Sequence, residues 1–126
     1  MNFIDVNHPN TAQEIYKIIL KNNYSNVCER LEFSGRSVLN LLLAKEIITL
    51  GQKEEIENKP SRLGKANELL SFLMRNSNHF PAFVECLRTD KQGTLAQELV
   101  DSFPKARTEY AASQAQIQND LHQLGL

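Results

Sequence analysis

A histidine and a cysteine stand seven positions apart, His79 and Cys86, in the stretch His79-Phe-Pro-Ala-Phe-Val-Glu-Cys86. Together they could supply a thiolate nucleophile and its base, which requires an approach to about 3 Å. On an ideal helix both lie on one side but roughly 10 Å apart along the axis. Catalysis by this pair is therefore not expected, and Cys86 reads as a core residue beside Phe83 and Leu87. Metal ligation has no better basis, because His8, Cys28, His79, Cys86 and His122 include no pair at the spacing of compact zinc sites. The glycines at 35, 51, 64, 93 and 125 are scattered and form no phosphate-cradling loop. The expectation is a protein that is not an enzyme, with no catalytic residue, no cofactor and no metal.

Charge narrows the partners further. Fourteen Lys plus Arg nearly cancel fifteen Asp plus Glu in 126 residues, so no global field draws in nucleic acid or an anionic membrane. A helix-turn-helix nucleic-acid binder shares the pattern of short helices and tight turns, but mixed charge signs on most helices argue against it. The amino terminus, Met-Asn-Phe-Ile-Asp-Val-Asn-His8, has neither the basic start nor the apolar length of a signal peptide, and the longest apolar run, Leu41 to Ala44, is too short to span a bilayer. A cytoplasmic protein with free thiols at Cys28 and Cys86 is expected.

The elements that position these groups follow from spacing and caps. Thr11-Ala-Gln-Glu14 has capping-box form ahead of Ile15, Ile18 and Ile19, which places a helix start near residue 11. Asn22-Asn-Tyr-Ser-Asn26 consists of residues that compete for backbone hydrogen bonds, so a kink is expected before Val27 and Leu31 resume the apolar face. Ser34 can cap a central helix carrying Val38, Leu39, Leu41, Leu42, Leu43 and Ala44. Ile47 and Ile48 occupy a tight connection, and Thr49-Leu-Gly-Gln52 opens a short helix through Ile56, ended by Pro60.

Ser61 caps an amphipathic helix with Leu63, Ala66, Leu70, Leu73 and Met74 on its buried face; Phe72 falls off that face. Asn76-Ser-Asn-His79 closes it, Pro81 suits the next first turn, and Phe80, Phe83, Val84 and Leu87 form the following face. Gly93 is expected to break that helix and Thr94-Leu-Ala-Gln97 to cap another, with Leu95, Ala96 and Leu99 inward. Beyond Pro104, Phe103, Tyr110, Ile117 and Leu124 recur every seven residues with Leu121 beside them, a short heptad seam on an Ala/Gln-rich tail. The segments are a leader over 1–10, a helical bundle over 11–103 and a helical tail over 104–126, the tail either docked on the domain or starting a coiled coil.

Taken together, Leu42-Leu-Ala-Lys-Glu-Ile-Ile-Thr49, Glu54-Glu55-Ile56, Ser61-Arg-Leu-Gly-Lys-Ala-Asn-Glu-Leu-Leu70 and Phe83-Val-Glu-Cys-Leu-Arg-Thr-Asp-Lys-Gln-Gly-Thr-Leu-Ala-Gln-Glu-Leu99 resemble the caspase recruitment domain of the death-fold superfamily. The resemblance spans about residues 11 to 102. It implies an all-α, six-helix antiparallel Greek-key bundle with a kinked first helix, here followed by an extra C-terminal helical tail. It also implies a module without an active site, whose partner is another caspase-recruitment-domain protein (a caspase, adaptor or sensor) or a second copy of itself. Such modules assemble as homo-oligomers or filaments in apoptotic or innate immune and inflammatory signalling.

In the family, a basic surface on the first and fourth helices meets an acidic surface on the second and third. The matching basic positions are Lys17, Lys21, Arg62 and Lys65. The acidic ones are Glu46, Glu54, Glu55 and Glu57, while Arg36 departs from the pattern on the second helix. The roles implied are adaptor or scaffold, or alternatively a decoy that inhibits a partner's assembly.

Overall fold

Asn23 interrupts what would otherwise be one long amino-terminal helix. In the computed structural model, which describes residues 9–33 and 38–125, α1 (Pro9–Asn22) and α2 (Tyr24–Arg30) meet there. The chain continues through α3 (Val38–Ala44), α4 (Leu50–Glu57), α5 (Arg62–Arg75), a 3-10 turn (Ser77–His79), α6 (Phe80–Thr89), α7 (Gly93–Asp101) and α8 (Phe103–Gln123). No strand occurs among the described residues. With α1 and α2 counted as one broken helix, α1 to α7 form a six-helix bundle and α8 follows it.

The kink expected from the asparagine-rich run is present. Asn23 has φ −105° and ψ 10°, and its side-chain amide donates to Ile19 O (2.8 Å) and to Ser102 Oγ (2.9 Å). Ser102, itself the joint between α7 and α8, donates to Leu99 O (2.8 Å). Two broken helices are thus pinned to each other at their breaks. Further contacts set their direction: Gln92 meets Glu32, Glu98 meets Arg30 and Asn26, and Glu109 meets Asn22. The pair α7–α8 therefore runs antiparallel to α1–α2.

The core between the helices is apolar. Ile15, Ile19, Leu20, Leu42, Leu70 and Phe83 are fully enclosed, with Cys28 and Cys86 among the buried residues. Tyr16 stacks on Phe80 with ring centroids 5.1 Å apart. Ser77 is the buried polar exception among the described residues, and its hydroxyl donates to Gln13 O (2.7 Å), fastening the turn after α5 to α1.

Several boundaries differ from the sequence expectation. The first helix, described from Pro9, is already under way at Thr11, so Thr11 lies inside it and does not cap it as the Thr11–Glu14 motif suggests. The Thr49–Gln52 capping box forms in both directions (3.1 and 2.9 Å), and Ser61 Oγ accepts from Gly64 N (3.0 Å). The third capping box does not form: α7 starts at Gly93, one residue before that motif, so Thr94 is already helical, and Gln97 instead donates to Asp101 (2.8 Å). Leu63 is exposed and Leu69 takes the buried place, because the core-facing side of α5 centres on Ala66, Leu69 and Leu73 and leaves Leu63 at its edge. Phe72 is half-buried under Arg75, whose guanidinium lies 5.1 Å from the ring centroid. Ser34 and Arg36 lie outside the described residues.

Two helix ends use a left-handed residue that is not glycine. After α3, Glu46 has φ 59°, with Glu46 N donating to Leu43 O (3.0 Å) and Ile47 N to Leu42 O (2.9 Å). After α6, Lys91 has φ 64°, with Lys91 N donating to Arg88 O (3.3 Å) and Gln92 N to Leu87 O (2.8 Å). Both are Schellman caps, whose left-handed position favours glycine. The break expected at Gly93 is therefore made two residues earlier, at Lys91. A side chain in this region costs about 1–2 kcal/mol, partly offset in a glycine variant by the freer unfolded chain. Glu46→Gly and Lys91→Gly are each expected to raise unfolding stability by about 0.5–1 kcal/mol, read as a higher urea midpoint at unchanged slope.

Candidate partner-binding surface

Arg62 opens α5 and is exposed along most of its length, yet its guanidinium is committed. Nη1 donates to Cys28 O (3.1 Å) and Leu31 O (3.2 Å). These carbonyls belong to the end of α2, where the last turn lacks intrahelical donors and a cation meets the negative end of the helix dipole. The segment that follows is held from the other side by Gln92. Its side-chain amide accepts from Glu32 N (2.9 Å) and donates to Glu32 O (3.1 Å) and Asp90 Oδ2 (2.7 Å). Arg62 and Gln92 therefore fix the chain as it leaves α2.

Lys65 lies one turn further along α5, half-buried and without an ion-pair partner among the described residues. With Arg62, Ser61, Pro60, Glu32 and Phe33 it lines an open groove of about 350 Å³. The register of α5 follows from Arg62 on Leu31 O, Asn67 beside both Tyr24 and Cys28, and Ser77 on Gln13 O. Lys17 and Lys21, both exposed, accordingly fall beside the carboxyl half of α5, toward Arg75, whereas Arg62 and Lys65 lie at its amino end.

The acidic positions fall on α4 and the turn before it. Glu54 and Glu55 are exposed and unpaired among the described residues. Glu57 is exposed but forms an ion pair with Lys53, and Lys59 pairs with Glu68 at 3.7 Å. Glu46 is exposed on the left-handed turn. Two contributors carry no local sequence signal because their partners are distant in the chain: the Gln92 clasp and the Arg30–Glu98 ion pair joining α2 to α7. Arg75 over Phe72 is a local i, i+3 contact that helical spacing allows.

The candidate chemical groups are placed differently. Cys86 is fully buried, and burial pushes its thiol up from the ordinary value, with Lys45 opposing. Cys28 is also shifted up by burial, against the pull of Arg62, and its thiol lies 3.5 Å from Asn67 Oδ1. Among the described residues no cluster of three or more His, Cys, Asp or Glu could hold a metal ion. No described helix is long and apolar enough to cross a membrane.

The broken first helix, the short α3 and α4, the capped α5 and the α6–α7 hairpin coincide with a matching family model, that of the caspase recruitment domain (CARD), over residues 17–102. The chain belongs to the caspase recruitment domain family. No curated protein and no solved structure matches it. CARDs are interaction modules, not enzymes, and they bind other CARD-containing proteins in death-domain signalling. The family match ends at Ser102, so α8 is an addition to this CARD's matched bundle.

Two outcomes follow for this CARD. Arg62→Ala leaves two helix-end carbonyls without their charged donor and is expected to cost about 1 kcal/mol, while Lys65→Ala stays within about 0.5 kcal/mol of wild type in urea unfolding. The two thiols hold their protons more tightly when folded than when unfolded. Stability is therefore fully present below the usual thiol range and falls as pH rises through it. The fall should be visible in the urea midpoint between pH 8 and pH 10 and should shrink in a Cys28→Ala/Cys86→Ala chain.

Proposed function

We propose that this CARD is an adaptor or scaffold in apoptotic or innate immune signalling, associating with another CARD or with its own copies through complementary charged surfaces. The carrying observation lies on the α4–α5 hairpin. Internal ion pairs use Lys53 with Glu57 and Lys59 with Glu68, leaving Glu54 and Glu55 on α4 and Lys65 on α5 without partners among the described residues. Uncompensated charges of both signs on adjacent elements of one subunit favour contact with a neighbour over internal neutralisation.

The basic side comprises Lys65 and Arg62 at the groove with Lys17 and Lys21 further along α1; the acidic side comprises Glu54, Glu55 and Glu57 with Glu46. Two different patches that fit each other make a heterologous contact, which repeats into a ring or filament. Each exposed pair contributes only about 0.2–1 kcal/mol, so a single contact is weak and salt-sensitive, and repetition supplies avidity.

Lys65 is the informative probe, because Arg62 also holds α2. Lys65→Glu is expected to abolish light-scattering assembly or CARD-partner capture while urea stability changes by less than about 0.5 kcal/mol. Combining it with a Glu54→Lys/Glu55→Lys chain should restore association. Assembly of Lys65→Glu indistinguishable from wild type would remove the charged-patch mechanism.

A further inference from the structure

The first half of α8 is spent on the bundle. Ala106 is fully buried, Phe103 and Tyr110 pack on the core, and Asn22 Nδ2 donates to Glu109 Oε2 (2.9 Å). The second half is not: Ile117, Leu121 and Leu124 are 47%, 39% and 73% exposed.

We infer that the carboxyl half of α8 pairs with the same segment of a second copy, in a parallel, in-register two-helix contact. Ile117 and Leu124 continue the heptad positions of Phe103 and Tyr110, and Leu121 falls on the alternate seam position with Gln114 one heptad before it. The occupant is specified by two features. A polar residue at one seam position is best met by an identical residue across a parallel pair. In an antiparallel pair, or against an unrelated apolar helix, Gln114 would face hydrocarbon. The residues flanking the seam, Ser113, Gln118 and Asp120, include a single charge, and in a parallel pair Asp120 lies across from the partner's uncharged flank, so identical copies meet without like-charge opposition. Eleven residues are too few for a free peptide to pair, but this helix is already nucleated and anchored by the bundle, which removes the initiation cost.

The pairing uses none of the charged surfaces of the preceding section and does not rest on them. It would hold two CARDs side by side and raise the local concentration of their other surfaces.

The test uses the full chain in the Lys65→Glu background, at about 0.5 M salt, where exposed charge contacts are screened. Sedimentation should give a dimer mass that falls to a monomer in Ile117→Asp/Leu121→Asp. Under mild air oxidation Gln114→Cys should form a covalent dimer, whereas Gln116→Cys, on the outer face, should not; native Cys28 and Cys86 are buried. A monomer at all concentrations overturns the inference. A dimer in which Gln114→Cys cross-links no better than Gln116→Cys overturns the parallel register. A monomeric chain destabilised by Ile117→Asp/Leu121→Asp gives the stripe to residues of the same chain, which also overturns it.

Discussion

One polar joint governs how this bundle is assembled: the amide of Asn23 bonded to Ile19 O and Ser102 Oγ. It sits where α1 gives way to α2 and where α7 gives way to α8, so the two broken helices bend at a common level. Below the joint, α2 turns toward α5 and its end is held by Arg62, while Arg30 ties it to Glu98 on α7. Above it, α8 follows α1 and buries Ala106. A half-buried side-chain bond of this kind is worth only about 0.5–1.5 kcal/mol. Its importance is geometric, because it sets the direction in which larger apolar faces meet.

This arrangement separates scaffold from surface. Arg62 is recruited to structure by the carbonyls at the end of α2, although its position and charge suit a binding role as well. Lys65, Glu54 and Glu55 have no such internal duty among the described residues. A mutation of Arg62 therefore disturbs the end of α2, whereas one of Lys65 leaves that anchor intact.

Local signals in the sequence were the ones that transferred well. The Thr49–Gln52 and Ser61–Gly64 caps, the asparagine-rich break and the apolar periodicity of α5 and α6 depend on residues within one or two turns of each other. Thr94–Gln97 had the same letters as a capping box but lost to the preceding Schellman turn, which starts α7 earlier. Leu63 fitted the periodicity yet is exposed, because the buried face centres on Ala66, Leu69 and Leu73 and leaves Leu63 at its margin. The candidate surface was legible as residue types on helices, and the Lys53–Glu57 pair follows from i, i+4 spacing within α4. Arg62's anchoring and the Lys59–Glu68 pair were not legible, because they arise where the fold brings separate side chains together, outside any i, i+4 spacing.

The central claim is that the two breaks are coupled through Asn23 and Ser102. A double-mutant cycle with Asn23→Ala and Ser102→Ala in urea unfolding addresses it without depending on partner or assembly. The account predicts that the double variant is less destabilised than the sum of the single variants, by about 0.5–1.5 kcal/mol. Additivity to within about 0.3 kcal/mol would contradict it and would mean that the α1–α2 and α7–α8 breaks form independently.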